Sequence, residues 1–379
     1  MKILIVNTLY HPYKVGGAEV SVQLLAEGLV AKGNTVRVVS LHDKETTKMD
    51  VVNGVEVSYL PLFNKYWPYS NYMPTKIEKM IWHLVDTYNI VMAKKVEREI
   101  LQFQPDIVHT NNLAGFSVAV WDVVKKHNIK LVHTSRDYYL FHPNSTLFKR
   151  NKVQSPTCLE VKLYSLVKKL CSRNVDYYVG ISDFIKNIHV NNGFFDKQKC
   201  QYIYNPINFI EKTEYNTGKI KIGFIGRLTK DKGFDDFCNL AKKYKDEFDF
   251  IAAGKFSVGS EGEKFKELAV KLNIHLLGFV KIDDFINYID IVCLPVKWNE
   301  PFGRVVVECA SAGVPVYTNK KGGISELFKY FNNIKEFNFD CSFEINTINS
   351  EGLELQYDKF SPDTIAKQYT TLFSRILEC

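Results

Sequence analysis

The sequence predicts an α/β protein made of two doubly wound, mostly parallel sheets. Three observations carry this. A chain of 379 residues exceeds one ordinary core. Apolar residues make up 46% of it, enough to fill two cores. Short apolar runs alternate with helix-period segments in two series, before and after an irregular polar stretch, residues 202–219.

The first series opens with "KILIVN", read as a buried first strand rather than a signal peptide. "AEVSVQLLAEGLVAKG" follows, with Val20, Leu24, Leu25 and Leu29 expected on one helical face and Gly33 ending the helix. "TVRVVSL" is the next strand, and "VVNGVEVSYL" reads as a hairpin turning at Asn53-Gly54. One long helical stretch is expected from about 75 to 103, then strands at "PDIVHTNN", "KLVHTS" and "VDYYVGIS". The second series runs "IKIGFIGR", "FDFIAAG", "IHLLGFV", "DIVCLP" and "VPVYTN", with helices between. Ser361 as N-cap and Pro362 in the first turn start a closing helix.

No apolar run approaches the ~18 residues of a membrane-spanning helix. The eight cysteines are scattered, without C-x-x-C or zinc spacing, which fits a reducing, cytoplasmic compartment. Residues 1–203 carry 26 Lys and Arg against 17 Asp and Glu, a net of +9, while 204–379 carry −2. The basic half is expected to meet an acidic partner, such as a membrane surface or a phosphorylated acceptor. No nucleic-acid motif stands out, so no nucleic acid is expected.

Ligands of doubly wound sheets sit on loops at the carboxyl ends of strands. Gly16 and Gly17 open the first helix there, and lacking Cβ they let backbone amides approach a phosphate. The pattern is neither G-x-G-x-x-G nor a Walker loop, which disfavours NAD. In "FIGRLTKDKGF", Arg227 and Lys232 stand five apart and could clamp a diphosphate. In "NEPFGRVVVECASAG", Glu300 falls in the loop and Glu308 about a turn and a half into the following helix. The amides of Phe302, Gly303 and Arg304 lie at that helix's positive end. Carboxylates that accept hydroxyl hydrogen bonds, beside amides that meet phosphate, suit a sugar nucleotide.

With these pieces in order, the sequence resembles the GT-B glycosyltransferases of family four, the large retaining family. The matching stretches are "GGAEVS", "VGISDFIKNIHVNNG", "FIGRLTKDKGF", "LLGFVKIDDFINYIDIVCLPVKWNEPFGRVVVECASAGVPV" and "GGISEL". The resemblance implies two Rossmann-like domains facing across a cleft. It assigns 1–204 to the acceptor, 205–360 to the nucleotide sugar, and 361–379 to a helix crossing back to the first domain. It implies that Arg227 and Lys232 hold the donor diphosphate and that Glu308 binds the ribose. Glu300, with the amides of Phe302 and Gly303, would bind the donor sugar. Val280 would lie along the base, and Gly16 and Gly17 would meet the diphosphate from the other domain. Retention of configuration without metal or other cofactor is implied, the acceptor hydroxyl attacking from the leaving-group side. The acceptor class is a glycan or a lipid-linked sugar of cell-surface polysaccharide synthesis, and UDP-sugars are the first donor class by family frequency.

The sequence departs from the family's pattern in three places. Arg136, followed by Asp137, stands where many members carry a His-Asp pair; both are kept as catalytic-site residues beside Glu300. Asn111 replaces a second His, and "FKYFNNIKEFNFD" replaces an Asp-Gly…Gly loop after "GGISEL". Two rival readings are a sugar-nucleotide epimerase of the same fold and a non-catalytic sugar-nucleotide-binding subunit. The stretch "VKLYSLVKKLCSRN", 161–174, reads either as a core helix with a solvated basic face or as a peripheral seat on anionic lipid at the inner membrane face.

Overall fold

Buried β-branched and leucine side chains put the first strand, β1 (Lys2–Val6), at the centre of a sheet. The computed structural model describes residues 1–14, 16–214, 218–340, 343 and 357–378. Part of the expected linker, 215–217, and two of the cysteines, Cys341 and Cys379, lie outside the described residues.

The chain divides into two units. The first comprises Met1–Leu147, Ser155–Pro206 and Pro362–Cys379, the second Phe148–Gln154 and Ile207–Ser361. The short segment Phe148–Gln154 thus groups with the second unit, although it lies inside the 1–204 expected for the first.

In the first unit β1 is followed by α1 (Gly17–Ala31), β2 (Thr35–His42), β3 (Lys48–Val52), β4 (Val55–Pro61), α2 (Lys76–Thr87) and α3 (Ile90–Phe103). Then come β5 (Ile107–Thr110), α4 (Ala119–Lys126) and β6 (Lys130–Ser135). The two-residue strands β7 (Phe148–Lys149) and β8 (Lys152–Val153) pair as a hairpin in the inserted segment. α5 (Leu159–Cys171), β9 (Tyr177–Gly180), α6 (Asp183–Asn191) and β10 (Cys200–Tyr202) complete the run. The sheet order is β10-β9-β6-β5-β1-β2-β4-β3, parallel except for edge strand β3. Asn53 and Gly54 both take positive φ, the conformation of the expected hairpin turn.

Three expectations are corrected here. The stretch 75–103 is two helices, because Tyr88 leaves helical geometry and Asn89 caps α3 by accepting from the Met92 amide. In α1 the buried face is Glu19, Val22, Leu25, Ala26 and Leu29, whereas Val20 and Leu24 are half-exposed. In α5 Val161, Ser165 and Lys168 are buried while the leucines face outward, so it is not a core helix with a basic outer face.

In the second unit β11 (Lys221–Ile225), α7 (Phe234–Tyr244), β12 (Asp249–Ala253), α8 (Ser260–Lys271) and β13 (His275–Gly278) lead to α9 (Ile282–Tyr288) and β14 (Ile291–Leu294). α10 (Arg304–Ser311), β15 (Val316–Thr318), α11 (Ile324–Leu327) and β16 (Ile334–Glu336) follow. All neighbours in the order β13-β12-β11-β14-β15-β16 are parallel.

The last helix, α12 (Pro362–Leu377), belongs to the first unit and packs on α1. Gly28 makes this possible, since a Cβ there would meet the Ala366 Cβ at 2.9 Å. Tyr369 hydrogen-bonds Thr134 Oγ1 at 3.0 Å. Ile365, Tyr369, Leu372 and Phe373 are buried, each worth ~1.5–3 kcal/mol by apolar transfer.

Candidate functional site

Strand order in the second unit reverses between β11 and β14, and loops leaving such a switch point form a crevice. Arg227 and Lys232 follow β11; Glu300 and the corner Pro301–Gly303 follow β14. The two loops can meet because Gly233, at φ +82°, would with a Cβ lie 1.9 Å from the Pro295 carbonyl oxygen. Lys232 Nζ then reaches Glu300 Oε2 at 2.6 Å, and the Trp298 indole donates to the same oxygen at 2.9 Å. Lys232 also lies 4.8 Å from the centre of the Trp298 ring. Among the described residues no donor reaches Glu300 Oε1.

The glycine pair of "GGISEL" holds this loop from behind. The Gly323 amide donates to the Glu300 carbonyl at 2.7 Å. Gly322, at φ +60°, allows an approach that a Cβ would close to 2.3 Å from that same oxygen. Phe302 is buried, with its ring 5.9 Å from Phe360. Gly303 caps α10 in the left-handed region, and α10 begins at Arg304.

Each glutamate therefore has its own cation. Glu300 pairs with Lys232, and Glu308 Oε1 accepts from Arg304 Nε at 2.8 Å, one turn earlier in α10. Glu308 is buried, and desolvation raises its carboxyl above the usual range while Arg304 opposes the shift. Arg227 is more than half exposed and pairs with Asp231 at 2.7 Å. Val280 is half-buried, just past edge strand β13, and its neighbour Phe279 is exposed.

In the first unit the sheet reverses between β1 and β5. Gly16 and Gly17 are exposed at the start of α1. The Gly16 amide donates to Glu19 Oε2 at 2.9 Å; its φ of −151° is open to any residue, and a Cβ there would meet nothing closer than 3.8 Å. Arg136, just after β6, is buried, and its guanidinium donates to Asn111 at 2.9 Å and to Asn205. Asn111 thus helps to orient the Arg136 guanidinium. Asp137 accepts from the Tyr139 amide at 2.7 Å, and burial pushes its carboxyl up to about 6. Asp86 of α2 is raised to about 6 by the same cause. Lys168 of α5, brought down to about 8 by burial, donates to the Tyr139 carbonyl at 2.7 Å and is attracted by both aspartates.

Trp298, Asp231, Asn205 and Asp86 escaped the sequence reading, and Lys168, read there as part of the basic face of 161–174, is buried instead. Asp231 had a local signal, lying four residues after Arg227. Asp86 and Lys168 had none, since the sequence does not show α2 and α5 turning polar residues inward. Among the described residues no group of three or more His, Cys, Asp or Glu could hold a metal ion.

Residues 15–209 match Glycosyltransferase Family 4 and residues 207–339 match Glycosyl transferases group 1. An uncharacterized 42.6 kDa protein in the cps region of Klebsiella pneumoniae is 46% identical over 98% of this chain and 100% of its own length. An uncharacterized glycosyltransferase of Methanocaldococcus jannaschii is 24% identical over 100% of this chain and 99% of its own. Among solved structures, Anabaena HepE in complex with UDP and glucose aligns with a TM-score of 0.71 at 17% identity, covering 99% of this chain and 100% of that one. Sucrose-phosphate synthase from Thermosynechococcus elongatus aligns at 0.73 and 15%, covering 100% and 99%. Two mostly parallel-sheet units, a switch point in each sheet and family matches along the chain lead to one identification: this is a GT-B glycosyltransferase that belongs to glycosyltransferase family 4.

Proposed function

We propose that the chain moves a sugar from a nucleotide-sugar donor, UDP-sugars first, to a glycan or lipid-linked acceptor during synthesis of a cell-surface polysaccharide. The observation that carries the reading is Glu300. It stands at the β11–β14 switch point, held through one oxygen by Lys232 and Trp298, with its other oxygen able to accept sugar hydroxyls. The cps-region relative supports the polysaccharide context, and the UDP and glucose of the HepE structure support the donor class.

On this reading the Arg227 and Lys232 cations and the N-terminus of α10 stabilise the leaving diphosphate. Glu308, fixed by Arg304, accepts the ribose hydroxyls. Val280 lies along the base. Gly16 and Gly17 offer amides to the diphosphate; neither strain nor crowding demands glycine at 16, so close backbone approach is a sufficient reason for it. Arg136 and Asp137 stand on the acceptor side near the transferred sugar. The acceptor hydroxyl attacks from the face of the leaving group and a donor phosphate oxygen takes its proton, so configuration is retained and no metal is needed.

The test is acceptor-dependent release of nucleoside diphosphate by the purified chain, with EDTA present and the product's anomeric configuration read by NMR. Release that survives EDTA and a retained anomer are expected. An absolute Mg²⁺ or Mn²⁺ requirement, or an inverted product, rules out the mechanism. Epimerised donor formed without acceptor rules out transfer.

A further inference from the structure

A cavity of the first unit opens where the parallel strands β2 and β4 end side by side, with His42 in register with Pro61. Ligands of doubly wound sheets sit at such carboxyl ends. Its volume, about 390 Å³, falls within the ~300–1,000 Å³ of small-molecule sites. The β2–β4 pair lies two strand spacings from the β1–β5 switch point, ~10 Å along the same end of the sheet. The loop after β4 is braced from α2: the Trp82 indole donates to the Tyr66 carbonyl at 3.0 Å, and the Asn64 amide donates to the Trp82 carbonyl at 3.1 Å.

His42, in the cavity wall, is 2% exposed, and neither of its ring nitrogens has a hydrogen-bond partner among the described residues. Buried polar groups are nearly always paired, so two orphaned nitrogens on one cavity wall point to an occupant that supplies both bonds. Burial holds the imidazole below its usual range, opposed by the Thr46 backbone, which completes no hydrogen bond. A neutral imidazole donates from one nitrogen and accepts at the other, as a pair of hydroxyls requires. The charges of the wall cancel as well, two carboxylates against two ammonium groups. Lys95 is engaged with the Pro61 carbonyl at 2.6 Å, and Lys44 lies 3.7 Å from Asp43. Asp43 and Glu45 are exposed and accept hydroxyl hydrogen bonds readily. Tyr66 and Trp67 add half-buried rings, whose faces suit the C–H face of a pyranose. A phosphate would meet no unopposed cation here, whereas a neutral sugar satisfies the imidazole, the carboxylates and the rings together.

From this arrangement we infer that the β2–β4 cavity is a carbohydrate subsite, which seats a neutral sugar unit of the acceptor away from its reacting end. The acceptor is then an oligosaccharide rather than a single sugar. The inference rests on the proposed transfer to a glycan acceptor, but its test reads binding alone. Wild type, His42→Phe and Trp67→Ala are titrated, with saturation-transfer NMR as readout, against methyl glycosides of neutral hexoses, 6-deoxyhexoses and N-acetylhexosamines and against disaccharides of these. Inorganic phosphate is a parallel probe, and UDP affinity is measured on the same samples. His42→Phe keeps the ring's bulk and removes two unpaired nitrogens, so it is expected to melt no lower than wild type. It should nevertheless weaken the bound glycoside by roughly threefold to tenfold. Trp67→Ala, at a half-buried position, should weaken it by about tenfold through the lost ring face. UDP affinity should be the same in all three proteins. Three results overturn the inference: a wild type that binds no glycoside of the panel, equal glycoside affinity in the three proteins, or binding of phosphate but not glycosides that His42→Phe abolishes. A wild type that binds glycosides but not UDP counts against the donor reading and leaves the subsite standing.

Discussion

Lys232 has two roles in this account: it fixes Glu300 by a 2.6 Å ion pair, and it is proposed to meet the donor diphosphate. Its removal therefore leaves a carboxylate without its cation and takes away a phosphate contact. Lys232→Ala is expected to weaken nucleoside diphosphate binding by ~1.5–3 kcal/mol, the range for hydrogen bonds to charged groups. Arg227→Ala belongs at the lower end, because Arg227 is more than half exposed and already paired with Asp231. Unchanged UDP and GDP affinities in both variants, read by calorimetry, would sink the phosphate clamp. A second residue-scale prediction concerns pH. Burial lifts Asp137 from an ordinary 3.8 to about 6, so between those values the folded chain holds a proton that the unfolded chain has lost. The Asp137 contribution to stability must then fall as pH rises through this window and level off above it. Asp86 adds the same sign. Urea unfolding of wild type and Asp137→Asn from pH 4 to 7 checks it: the variant should show the shallower decline, and parallel curves would contradict the assignment.

At the scale of elements, the seat of α12 on α1 depends on Gly28, where even an added Cβ would stand only 2.9 Å from the Ala366 Cβ. Gly28→Leu should overpack that contact and cost ~1–3 kcal/mol, visible as a lower urea midpoint with an unchanged slope. A variant as stable as wild type would show that the helix has room to shift. Elements with a strong period or a turn signal were legible in the sequence. Apart from the three-residue edge strands β10 and β16, which the reading did not name, the strands of both sheets stand where their apolar runs predicted, and Asn53-Gly54 turned as its residue types require. Three kinds of element were not legible. The α2–α3 break lies within continuous helical periodicity, and only the Asn89 cap marks it. The two-residue strands β7 and β8 are too short to carry a period. The outward leucines of α5 share the spacing of a core helix; periodicity reports that a stripe exists, not which side the protein covers. Sequence brought Arg227, Lys232, Glu300 and Glu308 to one switch point, whereas the pairing of each glutamate with its own cation required coordinates.

For the whole molecule, the claim is that the second unit holds a sugar nucleotide astride the corner Pro301–Gly303, with ribose on the Glu308 side and sugar on the Glu300 side. Family membership fixes the reaction class; this division of labour is implied by the resemblance and proposed for this chain. Glu308 is buried and braced by Arg304, so it suits a constant part of the ligand. Glu300 is tethered through Oε2 to the phosphate-clamp lysine, so it suits the part that is transferred. The most direct measurement is calorimetric titration of wild type, Glu308→Ala and Glu300→Ala with UDP and with a panel of UDP-sugars. The account predicts that Glu308→Ala weakens both ligand classes, while Glu300→Ala keeps wild-type affinity for UDP and loses affinity only for the sugar nucleotide. Equal weakening of UDP by both variants, or a wild type that binds neither UDP nor any sugar nucleotide of the panel, would contradict it.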